Sequence, residues 1–391
     1  VFGDWSSDVC SSDLSQNIPV AQVEKTLTLL KDGNTVPFIA RYRKEVTGAL
    51  NEIQLRAIQK EYESISALED RKLSVLRLIA QQNKLTEELR DKIVAAENVQ
   101  IVEDLYLPFK PKHKTLGAKA REKGLAPLAD QIKEGINNGS IEEIVKPFIN
   151  PEKGIADLKE ALDGAVDIIA EEIGDNAECR QYTRDVIFRR AVVKTKVNQE
   201  KINEIIGNGK ETSEEHIGSE ELGKKKVDPY TFKDYFDFTI DGGQLQAHQI
   251  LALNRAEDLD ILSIDFDTPD EMIVHELKKN ILSNQNEKTN LFYDYYNKAV
   301  EAGYKRYIQG SLKREYWREL REKAETHSIG VFAKNLKNLL MTPPIKGKAI
   351  IGIDPGFRTG CKVAVIDKHG KFLDHGVIYP HPPKKDRKSV V

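Results

Sequence analysis

A stretch near the carboxyl end of this 391-residue chain departs from the helical pattern before it: residues 349–367 read AIIGIDPGFRTGCKVAVID. The runs Ala349–Ile353 and Cys361–Ile366 are apolar and rich in β-branched residues, and Pro-Gly and Thr-Gly pairs lie between them. That pattern predicts two strands joined by a tight connection, and a second turn leads into a third strand at Lys371–Tyr379. Asp354 closes the first strand, where the end of a sheet can present its carboxylate to a ligand.

The same order of strands and turns opens two folds, the ribonuclease-H-like fold and the fold of the actin and sugar-kinase ATPases. In the ATPases the turn after the acidic residue is small and carries hydroxyl groups, so that it can wrap a phosphate. Phe357 and Arg358 occupy that turn here. We therefore expect the ribonuclease-H-like fold. The alternatives are the ATPase fold and a purely structural turn that Asp354 caps.

Composition narrows the class of protein. Hydrophobic residues make up 40% of the chain and charged residues 31%, which is enough for sizeable cores under a charged surface. No apolar run is long enough for a transmembrane helix, and Cys179 and Cys361 lie far apart, so we expect a cytoplasmic protein without a disulfide framework or a zinc site. The net charge of −3 means that any nucleic-acid binding has to come from local basic patches.

Both ends of the chain differ from the rest. Gly3–Leu14 and Asp386–Val391 have no hydrophobic periodicity, and both resemble translated sequencing-library adaptors. We therefore expect non-native tails at residues 1–14 and 386–391 that pack against nothing.

Between these tails the spacing of apolar residues is mostly that of helices. Short helices at Pro19–Leu30, at Val36–Arg43 and from Asn51 to about Ser64 predict a helix-turn-helix-like start. Two longer helices are expected between Ile65 and Gln100. A later helix at Ala177–Val197 is basic, which a connecting helix with a charged face explains.

The second half of the helical part contains less regular segments. We expect a turn-rich connection at Gly207–Lys226 and a short strand at Leu259–Phe266, which would form a small β-insert. The aromatic stretch Tyr230–Phe238 either anchors a loop on the core, which we favour, or stacks on bases. Helices then resume, with Asn286–Tyr307, Leu312–Ser328 and Ile329–Leu340 as the last three.

Taken together, these patterns predict a mostly α protein. Its expected parts are an amino-terminal helical domain at residues 15–205 and a central helical region with the β-insert at 206–345. The first strands of an α/β ribonuclease-H-like domain follow at residues 346–385, cut short by the end of the chain.

Two basic segments are candidates for phosphate contact, which is electrostatic and independent of sequence. In the first, the cations are Arg41, Arg43 and Lys44. The alternative is that these cations coat a solvated surface and pair with Glu45 and Glu52.

The second basic segment, residues 110–123, contains six cations and a single acidic residue, Glu122. The flanking Pro108 and Pro111 keep its first half extended, so helical neighbours cannot neutralise the lysines there. The alternative is a solvated loop. Its cations are Lys110, Lys112, Lys114, Lys119, Arg121 and Lys123.

Several of these segments resemble the Tex family of bacterial transcription accessory proteins. The resemblance lies in VPFIARYRKEVTGALNE at residues 36–52, DLYLPFKPKHKTLGAKAREKGL at 104–125 and GIDPGFRTGCKVAVID at 352–367. The last of these resembles the start of the family's YqgF (RuvC-like) domain. The segment AHQILALNRAED at 247–258 departs from the family at Gln249 and Ala256, where Arg and Gly are usual, which weakens any role carried over to that helix.

The resemblance implies a cytoplasmic protein that binds RNA or DNA with little sequence preference and acts in transcription. The family architecture continues with the rest of the YqgF-like domain, helix-hairpin-helix modules and an oligonucleotide-binding barrel. RNA polymerase is a candidate protein partner, and a scaffold that binds it through helical surfaces is an alternative function.

A metal-dependent RuvC-like nuclease that uses Asp354 is the enzymatic alternative. Two-metal hydrolysis needs several carboxylates around two divalent ions. Asp367 and Asp374 are the nearest further acids, and both lie beside predicted turns. We therefore expect no enzymatic activity, no metal and no cofactor, with Asp354 as a vestigial catalytic residue.

Overall fold

The computed structural model describes residues 18–111, 115–210, 228–283, 289–343, 345–356 and 360–380. The chain divides into two compact units, Val1–Glu322 and Lys323–Val391. The described α-helices are α1 (Val20–Lys31), α2 (Val36–Tyr42), α3 (Lys44–Thr47), α4 (Glu52–Gln81), α5 (Glu87–Val94), α6 (Val99–Tyr106), α7 (Leu116–Glu122), α8 (Ala126–Glu134), α9 (Ile141–Val145), α10 (Leu158–Asp175), α11 (Ala177–Arg190), α12 (Gln199–Lys210), α13 (Ala247–Asp258), α14 (Asp270–Ile281), α15 (Tyr293–Gly303) and α16 (Gly310–Leu340). The strands are β1 (Val192–Val197), β2 (Thr239–Asp241), β3 (Leu262–Asp267), β4 (Ile350–Asp354), β5 (Cys361–Ile366) and β6 (Phe372–Ile378). The chain is mostly helical, as predicted.

The first unit opens with three short helices, of which α1 and α2 pack against α4 and α3 packs against α1 and α2. Asn51 is the N-cap of α4, as predicted, and forms a capping box with Gln54, with both hydrogen bonds at 3.0 Å. The helix does not end near Ser64, however, but runs for 30 residues to Gln81. No Gly or Pro interrupts that stretch, so nothing in it stops the helix.

Helix α4 joins two hydrophobic clusters. Its first turns, with Leu55 and Ile58, pack in a cluster with α1 and α2, whereas Val75 and Ile79 pack in another with α5 and α6. Between their buried members, Val75 lies 17 positions after Ile58, which corresponds to roughly 25 Å along the helix axis.

Helix α10 lies at the centre of the first unit. Most of its residues are buried, including Leu162, Ile168 and Ile169, and it packs against α7, α8 and α15. The sequence around it is apolar on more than one face, which is typical of a helix surrounded by others.

A three-stranded antiparallel sheet in the order β2-β1-β3 forms the β-insert. The predicted strand at Leu259–Phe266 is confirmed as β3. The expectation of helix up to Val197 was wrong, because α11 ends at Arg190 and the next residues form the middle strand β1. In β1, Val193 and Thr195 are buried while Lys194 and Lys196 are exposed, which is the period-two pattern of a strand. Helix α12 then extends past Gly207, where a turn-rich connection was expected.

The aromatic stretch anchors a loop against this sheet, as favoured. Phe232 is buried, and the hydroxyl of Thr195 donates to the carbonyl of Tyr235 at 2.5 Å and accepts from the backbone N–H of Phe238 at 3.0 Å. The backbone of the stretch is therefore tied to the middle strand.

A π-helical turn at Tyr304–Gln309 connects α15 to α16 without a loop. The Tyr304 hydroxyl and the Gln309 amide donate to the two carboxylate oxygens of Asp270, at 2.5 and 2.6 Å. Both ends of the turn are thus held by one side chain. The expected break between Ser328 and Ile329 is absent, and α16 continues for 31 residues.

The second unit contains the sheet β4-β5-β6, which confirms the three predicted strands. The register places Asp354 opposite Lys362 and Ala364 opposite His375. The predicted tails at residues 1–14 and 386–391 lie outside the described residues.

Candidate nucleic-acid interface

The first basic segment lies where α2 meets α3. Only Arg43 separates the two helices, and Val36, Ile39 and Thr47 are buried on their inner side. Between Ile39 and Thr47, every position except the half-buried Ala40 is exposed. Arg41, Arg43 and Lys44 are all exposed.

Among the described residues, none of these three cations has an acidic partner. Glu52, which the alternative interpretation paired with them, instead accepts from Arg56 at 2.7 Å. Within the part of the chain that the structure describes, no carboxylate lies within ion-pair distance of Arg41, Arg43 or Lys44. Their charges are therefore available to an anionic ligand.

Arg43 is held in place by neutral groups. Its guanidinium carbon lies 5.2 Å from the centroid of the Phe38 ring, and its Nη1 donates to the carbonyl of Tyr42 at 3.2 Å. A cation over an aromatic face is attracted to it while its charge remains exposed.

The second basic segment is different, because folding neutralises part of it. Lys110 lies directly after a 3-10 turn at Leu107–Phe109, and its ammonium group contacts Glu103 at 2.6 Å. Arg71 binds the other oxygen of Glu103 at 2.5 Å. Burial opposes ionisation of Glu103, but the hydrogen bonds from Arg71 and Lys110 outweigh it and hold the pKa of this carboxyl below its usual value.

Arg121 is also paired. It binds the buried Glu171 and, at 3.3 Å, Glu172, both of which lie on α10. Lys123 donates to the carbonyl of Gly154 at 2.7 Å, whereas Lys119 is exposed. Lys112 and Lys114 lie outside the described residues.

The expectation that only Glu122 opposes this second segment was therefore wrong. Its partners come from other helices, and a cleft of about 630 Å³ contains Lys84, Lys110 and Arg121 together with three carboxylates. Those carboxylates are Glu171, Glu172 and Asp175. A balanced cleft of this kind does not attract a polyanion.

The charged face expected on the basic helix is partly buried. Arg180 and Arg184 of α11 are buried, and both bind Asp104 of α6. Arg184 further contacts Glu315 of α16 at 2.6 Å. The sequence carried no local signal for this network, since the residues that pair in it are 76 to 131 positions apart in the chain.

The predicted cations do not form one site. Arg41, Arg43 and Lys44 lie beside the cluster at the start of α4, whereas Lys110 lies beside the cluster at its end. Sequence analysis also missed the exposed aromatic ring of Tyr42 between the cations, although its position was visible in the sequence.

Asp354 lies on an open face of the second sheet. It is exposed, and a cavity of about 700 Å³ there is lined by Asp354, Lys362 and His375 together with small and apolar residues. Phe357 and Arg358 of the following turn lie outside the described residues.

The two further acids of this sheet do not approach Asp354. Asp374 pairs with Val365, and the alternation of strand residues places it on the opposite face. Asp367 accepts from the backbone N–H groups of His369 and Lys371 at 2.8 and 2.9 Å, which confirms its role in a turn. Across the described ranges, no group of three or more acidic, His or Cys side chains is arranged to hold a metal ion.

One further property concerns membranes. Within the described ranges, no helix is both long and apolar enough to cross a bilayer.

Three family models match the chain. The Tex-like protein N-terminal domain matches residues 10–80, the Tex central region-like model matches 138–208 and 209–332, and the Tex protein YqgF-like domain matches 348–391. The first includes Arg41, Arg43 and Lys44, and the last includes Asp354.

Similar proteins occur in bacteria and in animals. YdcI, an uncharacterised protein of Bacillus subtilis, is 38% identical over 98% of this chain and 50% of its own length. The transcriptional accessory protein Tex of Neisseria gonorrhoeae is 36% identical over 95% of this chain and 46% of its own length. The human S1 RNA-binding domain-containing protein 1 is 28% identical over 91% of this chain and 34% of its own length.

The chain thus spans about half the length of the two bacterial relatives. The three Tex family models match the amino-terminal, central and carboxyl-terminal parts of the chain, one after the other. The chain belongs to the Tex family.

Proposed function

We propose that this chain binds RNA or DNA without sequence preference, as part of a transcription accessory protein. The observation that carries the proposal is the set of three neighbouring exposed cations, Arg41, Arg43 and Lys44, none of which is neutralised by a described carboxylate. The names of two relatives support it, because one is called a transcriptional accessory protein and the other contains an RNA-binding domain.

The expected binding is weak and electrostatic. Each phosphate that a cation neutralises contributes a slope of about −0.9 on duplex DNA, or about −0.7 on a single strand, to the dependence of log affinity on log salt concentration. Three contacts therefore predict a slope of about −2 to −3. Lys119 is exposed and would add to it, whereas Lys110 and Arg121 already have acidic partners.

The test reverses the three charges together. Arg41→Glu, Arg43→Glu and Lys44→Glu are combined, and binding of fluorescent oligonucleotides is followed by anisotropy over a salt series. We expect the variant to lose most of its affinity for all sequences, with a slope shallower by about one unit per lost contact.

A second triple variant controls for net charge. Lys159, Lys233 and Lys305 are exposed and dispersed over the first unit, so replacing all three by Glu changes the net charge by the same amount. An equal loss of affinity in both variants, or in neither, would contradict the proposed site. A parent chain that shows no salt-dependent binding would favour the scaffold function, which binding to purified RNA polymerase would then test.

The proposal includes no catalytic role for Asp354. Support comes from the sheet geometry, in which Lys362 lies opposite Asp354 and Asp374 lies on the other face. A carboxylate without a second one nearby does not organise two metal ions.

A further inference from the structure

The same surface carries an exposed aromatic ring. Tyr42 is 61% exposed, although Val36 and Ile39 on the same helix are buried. The Tyr42 ring lies 5.2 Å from that of Phe38, one helical turn earlier, at an interplanar angle of 46°. Phe38 is half-buried, so it connects the exposed ring to the core. A large ring left in solvent adds little to folding.

The surroundings of Tyr42 are positive. The segment Val36–Asn51 contains three cations and one carboxylate, Glu45. Arg41 and Arg43 are the residues directly before and after Tyr42 in the chain. The guanidinium group of Arg43 lies over the ring of Phe38. A ligand that covers Tyr42 must therefore be compatible with several nearby positive charges.

Another exposed tyrosine provides a contrast. Tyr230 is 52% exposed and lies 6.3 Å from the ring of Phe236, so its exposure and its aromatic neighbour are similar. Within Asp228–Phe238, however, three carboxylates (Asp228, Asp234 and Asp237) accompany the single cation Lys233, and the further cations Lys224–Lys226 precede this segment. Exposure alone thus does not distinguish Tyr42, but exposure within a positive surface does.

We propose that Tyr42, supported by Phe38, is a stacking platform for an unpaired base of a single-stranded nucleic acid. This proposal rests on the proposed function, since the phosphates flanking that base would contact Arg41, Arg43 and Lys44. Stacking on an aromatic ring accepts any base, because every base has a π face. A duplex keeps its bases stacked inside, so it can use only the cations.

The test separates base contacts from phosphate contacts. Tyr42→Ala is compared with Tyr230→Ala as the matched control, using a single-stranded oligonucleotide, an abasic strand of the same length and a duplex. We expect Tyr42→Ala to weaken binding of the single strand by about 5- to 150-fold. Its binding to the abasic strand and the duplex should remain that of the parent, and Tyr230→Ala should match the parent on all three ligands.

Two substitutions that keep a ring test the chemistry directly. Tyr42→Phe and Tyr42→Trp should both retain single-strand affinity, because stacking requires the ring and not the hydroxyl. The fluorescence of the introduced tryptophan should be quenched by the single strand and not by the abasic strand. Trp5 and Trp317 are present in both proteins, so the difference from the parent spectrum isolates the new signal.

The outcomes distinguish this proposal from the proposed function. If Tyr42→Ala binds the single strand like the parent while the Arg41, Arg43 and Lys44 variant does not, the platform is wrong and phosphate binding stands. A protein partner would then remain as the occupant of the exposed ring. If Tyr42→Ala weakens all three ligands equally, the ring supports α2 and does not stack on bases. Absence of salt-dependent binding by the parent would overturn the proposed function itself.

Discussion

The Nε of Arg180 donates a hydrogen bond to Oδ1 of Asp104 across 2.8 Å in the interior of the first unit. Arg184 donates to the other oxygen of the same carboxylate at 2.5 Å and also binds Glu315. Helices α6, α11 and α16 are therefore joined by charged groups with little exposure to solvent. Such charges are tolerated in an interior only when each has a partner.

Removing the shared carboxylate should be costly. Asp104→Asn removes the carboxylate that both buried guanidinium groups share and leaves Glu315 as a partner of Arg184 alone, so we expect the free energy of unfolding to fall by about 3–5 kcal/mol. Urea unfolding followed by Trp317 fluorescence measures this, in a Trp5→Phe background so that a single tryptophan emits. Glu88→Gln, which removes an exposed pair with Lys92, is the control and should leave the midpoint unchanged. A midpoint for Asp104→Asn equal to that of the parent would show that the network does not stabilise the fold.

Glu103 should make the free energy of unfolding depend on pH in the acidic range. Its pKa in the folded chain is below the usual 4.5, because the hydrogen bonds from Arg71 and Lys110 outweigh burial. The unfolded chain therefore takes up a proton first as the pH falls. The stabilisation by Glu103 is complete above about pH 4.5 and is lost as the pH falls through the folded pKa.

The measurement compares the parent with Glu103→Gln in urea over a pH series. We expect Glu103→Gln to unfold at lower urea near neutral pH and the two proteins to converge in acid. A constant difference at every pH would mean that the charge of Glu103 is not what stabilises the fold.

Gly360 should tolerate no side chain. Its φ is +86°, and a Cβ there would lie 2.6 Å from the Tyr379 ring and 2.7 Å from Val377. Gly370 has a similar φ of +83°, but a Cβ there would meet nothing within 4 Å. Both alanine variants incur about 1–2 kcal/mol of backbone strain, and only Gly360→Ala adds a clash.

Hydrogen exchange of the β5 and β6 amides measures the difference. We expect faster exchange in Gly360→Ala than in Gly370→Ala, and slowest exchange in the parent. Equal exchange in the two variants would rule out the clash as a cause.

The chain should not cut nucleic acid. Asp354 has Lys362 opposite it, and neither Asp367 nor Asp374 shares its site. Incubation with linear and branched DNA and RNA in Mg²⁺ or Mn²⁺ should leave the substrates intact. Cleavage that Asp354→Asn abolishes would restore the nuclease interpretation.

The sequence predicted a structural element correctly where the residues that determine its limits lie next to it in the chain. The capping box of Asn51 and the strands β4 to β6 are such cases, because the cap and the turns lie next to the elements that they limit. β1 was missed because its six residues, in which buried and exposed side chains alternate, directly follow a helix. The strands that pair with β1 are also distant from it in the sequence.

The ion-pair partners of the basic residues were harder to predict from the sequence than the helices and strands. Arg121 looked free among its neighbours, yet its carboxylates lie 50 and 51 residues away. Whether a cation is available to a ligand depends on such tertiary contacts, which local composition does not contain. Arg41, Arg43 and Lys44 were predicted as phosphate contacts for the same reason as Arg121, namely a local excess of cations. Only the folded structure shows that Arg121 has acidic partners and that the other three have none among the described residues.

The π-helical turn at Tyr304–Gln309 constrains how the length of this chain can vary in evolution. A π turn holds about one residue more than an α turn, so deleting one residue there would restore a regular helix. Because the wider turn absorbs the extra residue, the helix after it would keep its orientation around the axis. Tyr316, whose ring lies 4.9 Å from that of Phe188, would keep that contact. Natural variants should therefore be able to lose one residue between Gly303 and Gly310, at the expense of the hydrogen bonds from Tyr304 and Gln309 to Asp270.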